Sequence, residues 1–129
     1  MSSEELKKRT KKFALGVIKF VSELPNKRAV NIVTHQLIRS ATSVGSNYRA
    51  ACRARSKSEF ISKISIVEEE SDESLYWLEI LSESRLASGL ELERLTKEAD
   101  ELTAIFVSTR KSAKISSNLQ SEIKNRRSK

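Results

Sequence analysis

Only one proline, Pro25, and three glycines, Gly16, Gly45 and Gly89, interrupt 129 residues. So few breakers leave long unbroken stretches. With 32% charged and 5% aromatic residues, such stretches suit helices with solvated outer faces, not short strands joined by frequent turns.

The apolar spacing agrees. Leu6, Thr10, Phe13, Val17, Phe20 and Leu24 recur at alternating steps of four and three, which is one face of a helix. Ser2 and Glu5 stand at capping-box spacing before it, and Pro25 ends it. A second stripe runs Val30, Val33, Leu37, Ala41, Val44, Tyr48 and Ala51, with Asn26 as the expected N-cap. Gly45 lies within it at a cost of about 1 kcal/mol relative to alanine, and marks either a close helix contact or a kink. Ser56 and Glu59 repeat the capping box. A third stripe follows through Phe60, Ile64, Val67, Ser71, Ser74, Leu78 and Leu81, in a helix predicted to end near Ala87. Ser88 and Glu91 introduce the fourth, through Leu92, Leu95, Ala99, Leu102, Phe106, Thr109 and Ala113.

Helices two to four are predicted at about 28–31 residues each, or about 42–46 Å. Connections of a few residues force sequential helices antiparallel. The predicted fold is all-α: an antiparallel up-down-up-down four-helix bundle over residues 1–118, with a polar, basic tail at 119–129 expected to fray. Alternating four-three seams pack as left-handed knobs into holes.

Several function classes fall away. Cys52 is the only cysteine, so no intramolecular disulfide forms and a reducing, cytoplasmic setting is expected. No apolar run approaches the ~18 residues of a membrane span, and Met1–Glu5 does not read as a signal peptide, so no membrane partner is expected. His35 has no serine or cysteine at a recognisable spacing, and no phosphate loop or metal-ligand pattern is present. The reading is a non-enzyme without a cofactor. Cys52, among Arg49, Arg53 and Arg55, is either a reactive thiol or an incidental small residue.

Hairpin geometry turns composition into a surface. Counting outward from the turn near Arg55–Ser56 places Arg39 level with Asp72, within reach of Glu69, Asp72 or Glu73; counting from Ser88–Gly89 places Ser71 level with Phe106. The same counting gathers three basic segments at one end. Residues 1–13 hold five basic and two acidic side chains, 47–64 five and one, and 106–129 seven and one. Against a net charge of +7, the remainder is acidic and the molecule is expected to be bipolar along its axis. The candidate phosphate ligands are Lys7, Lys8, Arg9, Lys11, Lys12, Arg49, Arg53, Arg55, Lys57, Lys63, Arg110, Lys111 and Lys114. Tyr48, within the middle segment, either stacks on a base or packs in the core. Ile66, Glu70, Glu73, Trp77 and Ile80 form a second stripe, either a subunit interface anchored by Trp77 or a wet flank. Two functions fit: non-specific RNA or DNA binding through the basic end, or a protein-interaction scaffold for an acidic partner surface, without direct nucleic-acid binding.

The segment from Gln36 to Leu81 carries a composite pattern: Gln36-Leu37-x-Arg39-Ser40, Ser43-x-x-Ser46-Asn47, Ser56-Lys57-x-x-Phe60 and Glu73-x-x-x-Trp77-Leu78-x-x-Leu81. It resembles the bacterial four-helix-bundle family of proteins encoded by intervening sequences within 23S rRNA genes. That resemblance implies a homopentamer. It also implies kinship with accessory proteins of diversity-generating retroelements, where a basic barrel is thought to engage nucleic acid and a reverse transcriptase. It further implies that Arg39 and Glu73 form a buried polar clamp, to which hairpin counting adds Glu69, and that Trp77 is packing. The family often carries Glu where Ala50 stands, so any local contact of that Glu is absent here.

Overall fold

The computed structural model describes residues 1–127. Four helices follow one another: α1 Ser3–Ser22, α2 Arg28–Cys52, α3 Lys57–Glu83 and α4 Leu90–Arg127. α1 packs on α2 and α4, and α3 packs on α2 and α4, so α1 and α3 sit on the diagonal of an up-down-up-down bundle.

Two of the capping boxes read from the sequence cap as expected. The Ser2 and Ser56 hydroxyls accept from the Glu5 and Glu59 amides, each at 3.1 Å. The N-cap of α2 is Lys27 and not Asn26, whose side-chain oxygen instead accepts from Asn31 Nδ2 at 2.7 Å. α3 also stops short of Ala87. Arg85 adopts the left-handed conformation (φ 64°), and the Ala87 amide turns back to the Leu81 carbonyl at 3.2 Å. Arginine carries no sequence signal for that conformation, so the sequence pattern places the boundary too late.

The helices are 25, 27 and 38 residues long from α2 to α4, so the expectation of near-equal lengths fails at α4. The supposed frayed tail continues as helix to Arg127, while Ser128 and Lys129 lie outside the described residues. Nothing between Leu119 and Arg127 breaks a helix, and Lys124, Arg126 and Arg127 in the last turn complement its dipole.

The stripes meet in one core. Phe106, Leu37, Ile64, Leu78, Leu81 and Leu102 are fully buried. Tyr48 and Phe106 pack ring to ring, 5.4 Å between centroids. Ser40 and Ser74 bridge α2 and α3 inside the core, the Ser74 hydroxyl donating to Ser40 Oγ at 3.0 Å. Gly45 marks the close approach of α1 and α2: a Cβ there would lie 3.2 Å from Thr10 Oγ1. Every buried side-chain polar atom among the described residues has a partner.

Candidate nucleic-acid interface

Three arginines stitch neighbouring helices together. Arg39 on α2 reaches Glu70 and Glu73 on α3, and Trp77 Nε1 also donates to Glu73 Oε2 at 3.2 Å. Glu69 is not part of this clamp. Glu70, Glu73 and Trp77 recur at steps of three and four on the face beside α2, whereas Glu69 turns with Ser65 and Asp72 toward the groove beside α4. Nor is the clamp buried: the Arg39 side chain is 44% exposed.

Arg110 on α4 holds Glu68 on α3, with Nη2 at 3.3 Å from Oε1. Arg9 on α1 grips Glu98 on α4 through two hydrogen bonds, 2.9 and 2.6 Å, and adds Glu101 at 2.9 Å. Donating to the Glu98 carboxylate holds the Arg9 guanidinium above its ordinary range, and donating to Glu68 does the same for Arg110. Counting from turns could not show the Arg9 contact, because α1 and α4 share no connection.

These pairs divide the thirteen candidate cations. Arg9 and Arg110 are committed to carboxylates, and Lys7 bonds Glu4 at 2.9 Å, which holds the Glu4 carboxyl below its usual value. Lys57 donates to Ser116 Oγ at 2.6 Å and keeps its charge outward. Lys8, Lys11, Lys12, Arg49, Arg53, Arg55, Lys63, Lys111 and Lys114 form no ion pair among the described residues. All but the half-buried Lys63 are exposed. Arg49, Arg53 and Arg55 crowd the α2–α3 turn, and Lys8, Lys11 and Lys12 lie on the neighbouring α1. Lys124, Arg126 and Arg127, in the stretch whose sequence reads as a frayed tail, are carried by α4 beyond that end.

The charge map differs from a simple dipole. Acid concentrates at the waist, in Glu68, Glu69, Glu70, Asp72 and Glu73 of α3 and Glu98, Asp100 and Glu101 of α4. The far end is nearly balanced, with Lys19, Lys27, Arg28, Arg85, Arg94 and Lys97 against Glu23, Glu79, Glu83, Glu91 and Glu93. Lys27 and Arg28 at the α1–α2 turn share this end with the acidic α3–α4 corner, as the up-down-up-down order requires.

Tyr48 is 6% exposed, so its ring belongs to the core and offers no stacking platform. Burial, then a hydrogen bond with Cys52, pushes its phenol well above the ordinary value of 10.0. Trp77 is half-buried against the core, edge-on to the exposed Tyr76 at 5.0 Å. His35 is exposed. Among the described residues no group of His, Cys, Asp or Glu is placed to hold a metal ion, and no helix is long and apolar enough to cross a membrane.

The family model of the 23S rRNA-intervening sequence protein matches residues 3–108. The chain belongs to this family. A solved structure of a protein of unknown function from the S23 ribosomal protein family of Bacteroides thetaiotaomicron is similar. It superposes with a TM-score of 0.78 at 29% identity, over 86% of this chain and 99% of that one. No curated protein matches. The intervening-sequence family match ends before Arg110, so the last two turns of α4 within the bundle and its projection beyond it lie outside the matched region. Within that region fall the Arg39 clamp, the α2–α3 turn and the α1 lysines.

Proposed function

We propose that this protein is a non-enzymatic helical bundle that binds RNA or DNA through phosphate contacts at its basic end. The supporting observation is the cluster of Arg49, Arg53 and Arg55 at the α2–α3 turn beside Lys8, Lys11 and Lys12. These six cations are exposed and form no ion pair among the described residues, although acids elsewhere hold Arg9 and Arg110. Cations left without carboxylates are free to replace the counterions of a polyanion, and release of those ions drives binding. With Tyr48 buried and Phe60 packed against the core, sequence-reading by base stacking has no open platform, so binding is non-specific. Resemblance to retroelement accessory proteins supports action as a homo-oligomer, a pentamer, beside a nucleic-acid enzyme such as a reverse transcriptase.

The test is fluorescence anisotropy with labelled single- and double-stranded RNA and DNA across a salt series. The variant Arg53→Glu/Arg55→Glu should weaken binding to all sequences alike. The slope of log K against log salt should fall by about 1.4 on single strands and about 1.8 on duplex DNA, two phosphates' worth. Unchanged affinity at low salt overturns the reading.

A further inference from the structure

The last stretch of α4 stands clear of the bundle. Lys57 at the start of α3 bonds Ser116, so the helix after Ser116 runs past the α2–α3 end. Every residue from Asn118 to Arg127 is exposed. From Ser116 to Arg127 the projection is about 16 Å long.

Its faces differ in chemistry. Lys114, Asn118, Ser121 and Asn125 recur at steps of four, three and four, so they share one face. The apolar stripe of Ile115, Leu119 and Ile123, 61%, 53% and 49% exposed, lies on the other side. Within the bundle, hydroxyls turn back on their own helix: Ser71, Thr103 and Thr109 each donate to the carbonyl four residues earlier. Asn118, Ser121 and Asn125 do not, and their side chains have no partner among the described residues. Their donors and acceptors are open to an outside ligand. Glu122 is the one acid between Ser116 and Arg127, and Arg126 and Arg127 form no ion pair among the described residues.

Duplex DNA presents the matching surface. The major groove of B-form DNA, about 12 Å wide and about 8.5 Å deep, admits an α-helix of about 10–12 Å diameter. Its floor offers base-edge donors and acceptors that asparagine and serine bond, and its walls are phosphates that arginine and lysine neutralise. The major groove of A-form RNA is too deep and narrow for side chains to read, and a single strand has no groove. Arg53 and Arg55 stand at the end of the bundle from which the projection leaves, where a strand bounding the groove would pass.

We infer that the α4 projection enters the major groove of duplex DNA. Asn118, Ser121 and Asn125 face the base edges, Arg126 and Arg127 hold phosphates of the groove walls, and the turn arginines hold the strand below. The inference rests on the nucleic-acid reading above and narrows it to one ligand, selected by helical form and not by stacking on its bases. The projecting residues all lie beyond residue 108, where the family match ends.

Fluorescence anisotropy on the intact chain, with duplex DNA, duplex RNA and single-stranded DNA of one sequence at one salt concentration, reads the preference. The wild type should bind duplex DNA about tenfold more tightly than either of the others. Asn118→Asp/Asn125→Asp, which sets carboxylates on the groove face, should remove that preference while far-UV circular dichroism stays helical. Gln120→Pro breaks the projection outside the core. It should also remove the preference, while the unfolding midpoint and the residual binding through the α2–α3 turn persist. Dimethyl sulfate footprinting reads the groove: bound protein should protect guanine N7 in the major groove and leave adenine N3 in the minor groove reactive. Three outcomes overturn the inference and leave phosphate binding at the basic end in place. They are equal affinity for duplex RNA or single strands, protection of adenine N3 in place of guanine N7, and a preference that survives Gln120→Pro. Binding to none of the three nucleic acids overturns both.

Discussion

Replacing Gly45 with alanine sets two effects of similar size against each other. Alanine in a helix interior gains about 1 kcal/mol over glycine. The new Cβ, however, would sit 3.2 Å from Thr10 Oγ1 and 3.5 Å from the Thr10 carbonyl carbon and Cβ. Thr10 is fully buried, and its hydroxyl donates to the Leu6 and Lys7 carbonyls at 2.9 and 3.0 Å. Swinging it away strands a buried hydroxyl, at about 1–3 kcal/mol. The expected balance is a loss of about 1 kcal/mol, or about 3–5 °C in Tm for a chain of this size. In a Thr10→Ala background the oxygen is gone and only the ordinary 3.5 Å contacts remain. There Gly45→Ala should stabilise by up to about 1 kcal/mol, a coupling of about 2 kcal/mol between the two sites. Urea and thermal unfolding of the four proteins at fixed concentration completes the cycle. A gain of the full 1 kcal/mol from Gly45→Ala in the wild-type background refutes a close α1–α2 contact at Thr10.

Tyr48 predicts an alkaline limit. Its phenol is held neutral in the fold, while the unfolded chain ionises it above 10.0, so stability is intact below that pH and falls as pH rises, by at most about 1.4 kcal/mol per unit. Tyr48→Phe should flatten that slope in denaturant titrations between pH 9 and 11; an identical slope contradicts the burial argument. Phe106→Ala, at a fully buried site against Tyr48, should cost about 3–5 kcal/mol in urea unfolding. Arg39→Met should cost only about 0.5–1 kcal/mol, because the pair is part-exposed, and the loss should shrink in high salt.

The helices and their order were readable from the chain itself. Stripes at steps of three and four, two serine–glutamate capping boxes and Pro25 act locally, within a few residues of where they stand. Hairpin counting also put Arg39 beside the α3 acids, because a tight turn ties sequence distance to height along the bundle. What lay beyond the sequence involved elements without a shared turn or with degenerate local signals. Arg9 meets Glu98 only because α1 closes the bundle against α4, and Glu70 displaces Glu69 because a rotation of 100° about α3 decides which carboxylate faces α2. Arg85 turned α3 early, and α4 kept its hydrogen-bonded ladder to Arg127, exposing a stripe that the sequence read as fraying. Helix formation is a short-range balance written residue by residue. The pairing of charges across a bundle depends on which faces the core leaves outward, and that is settled only when all four helices pack at once.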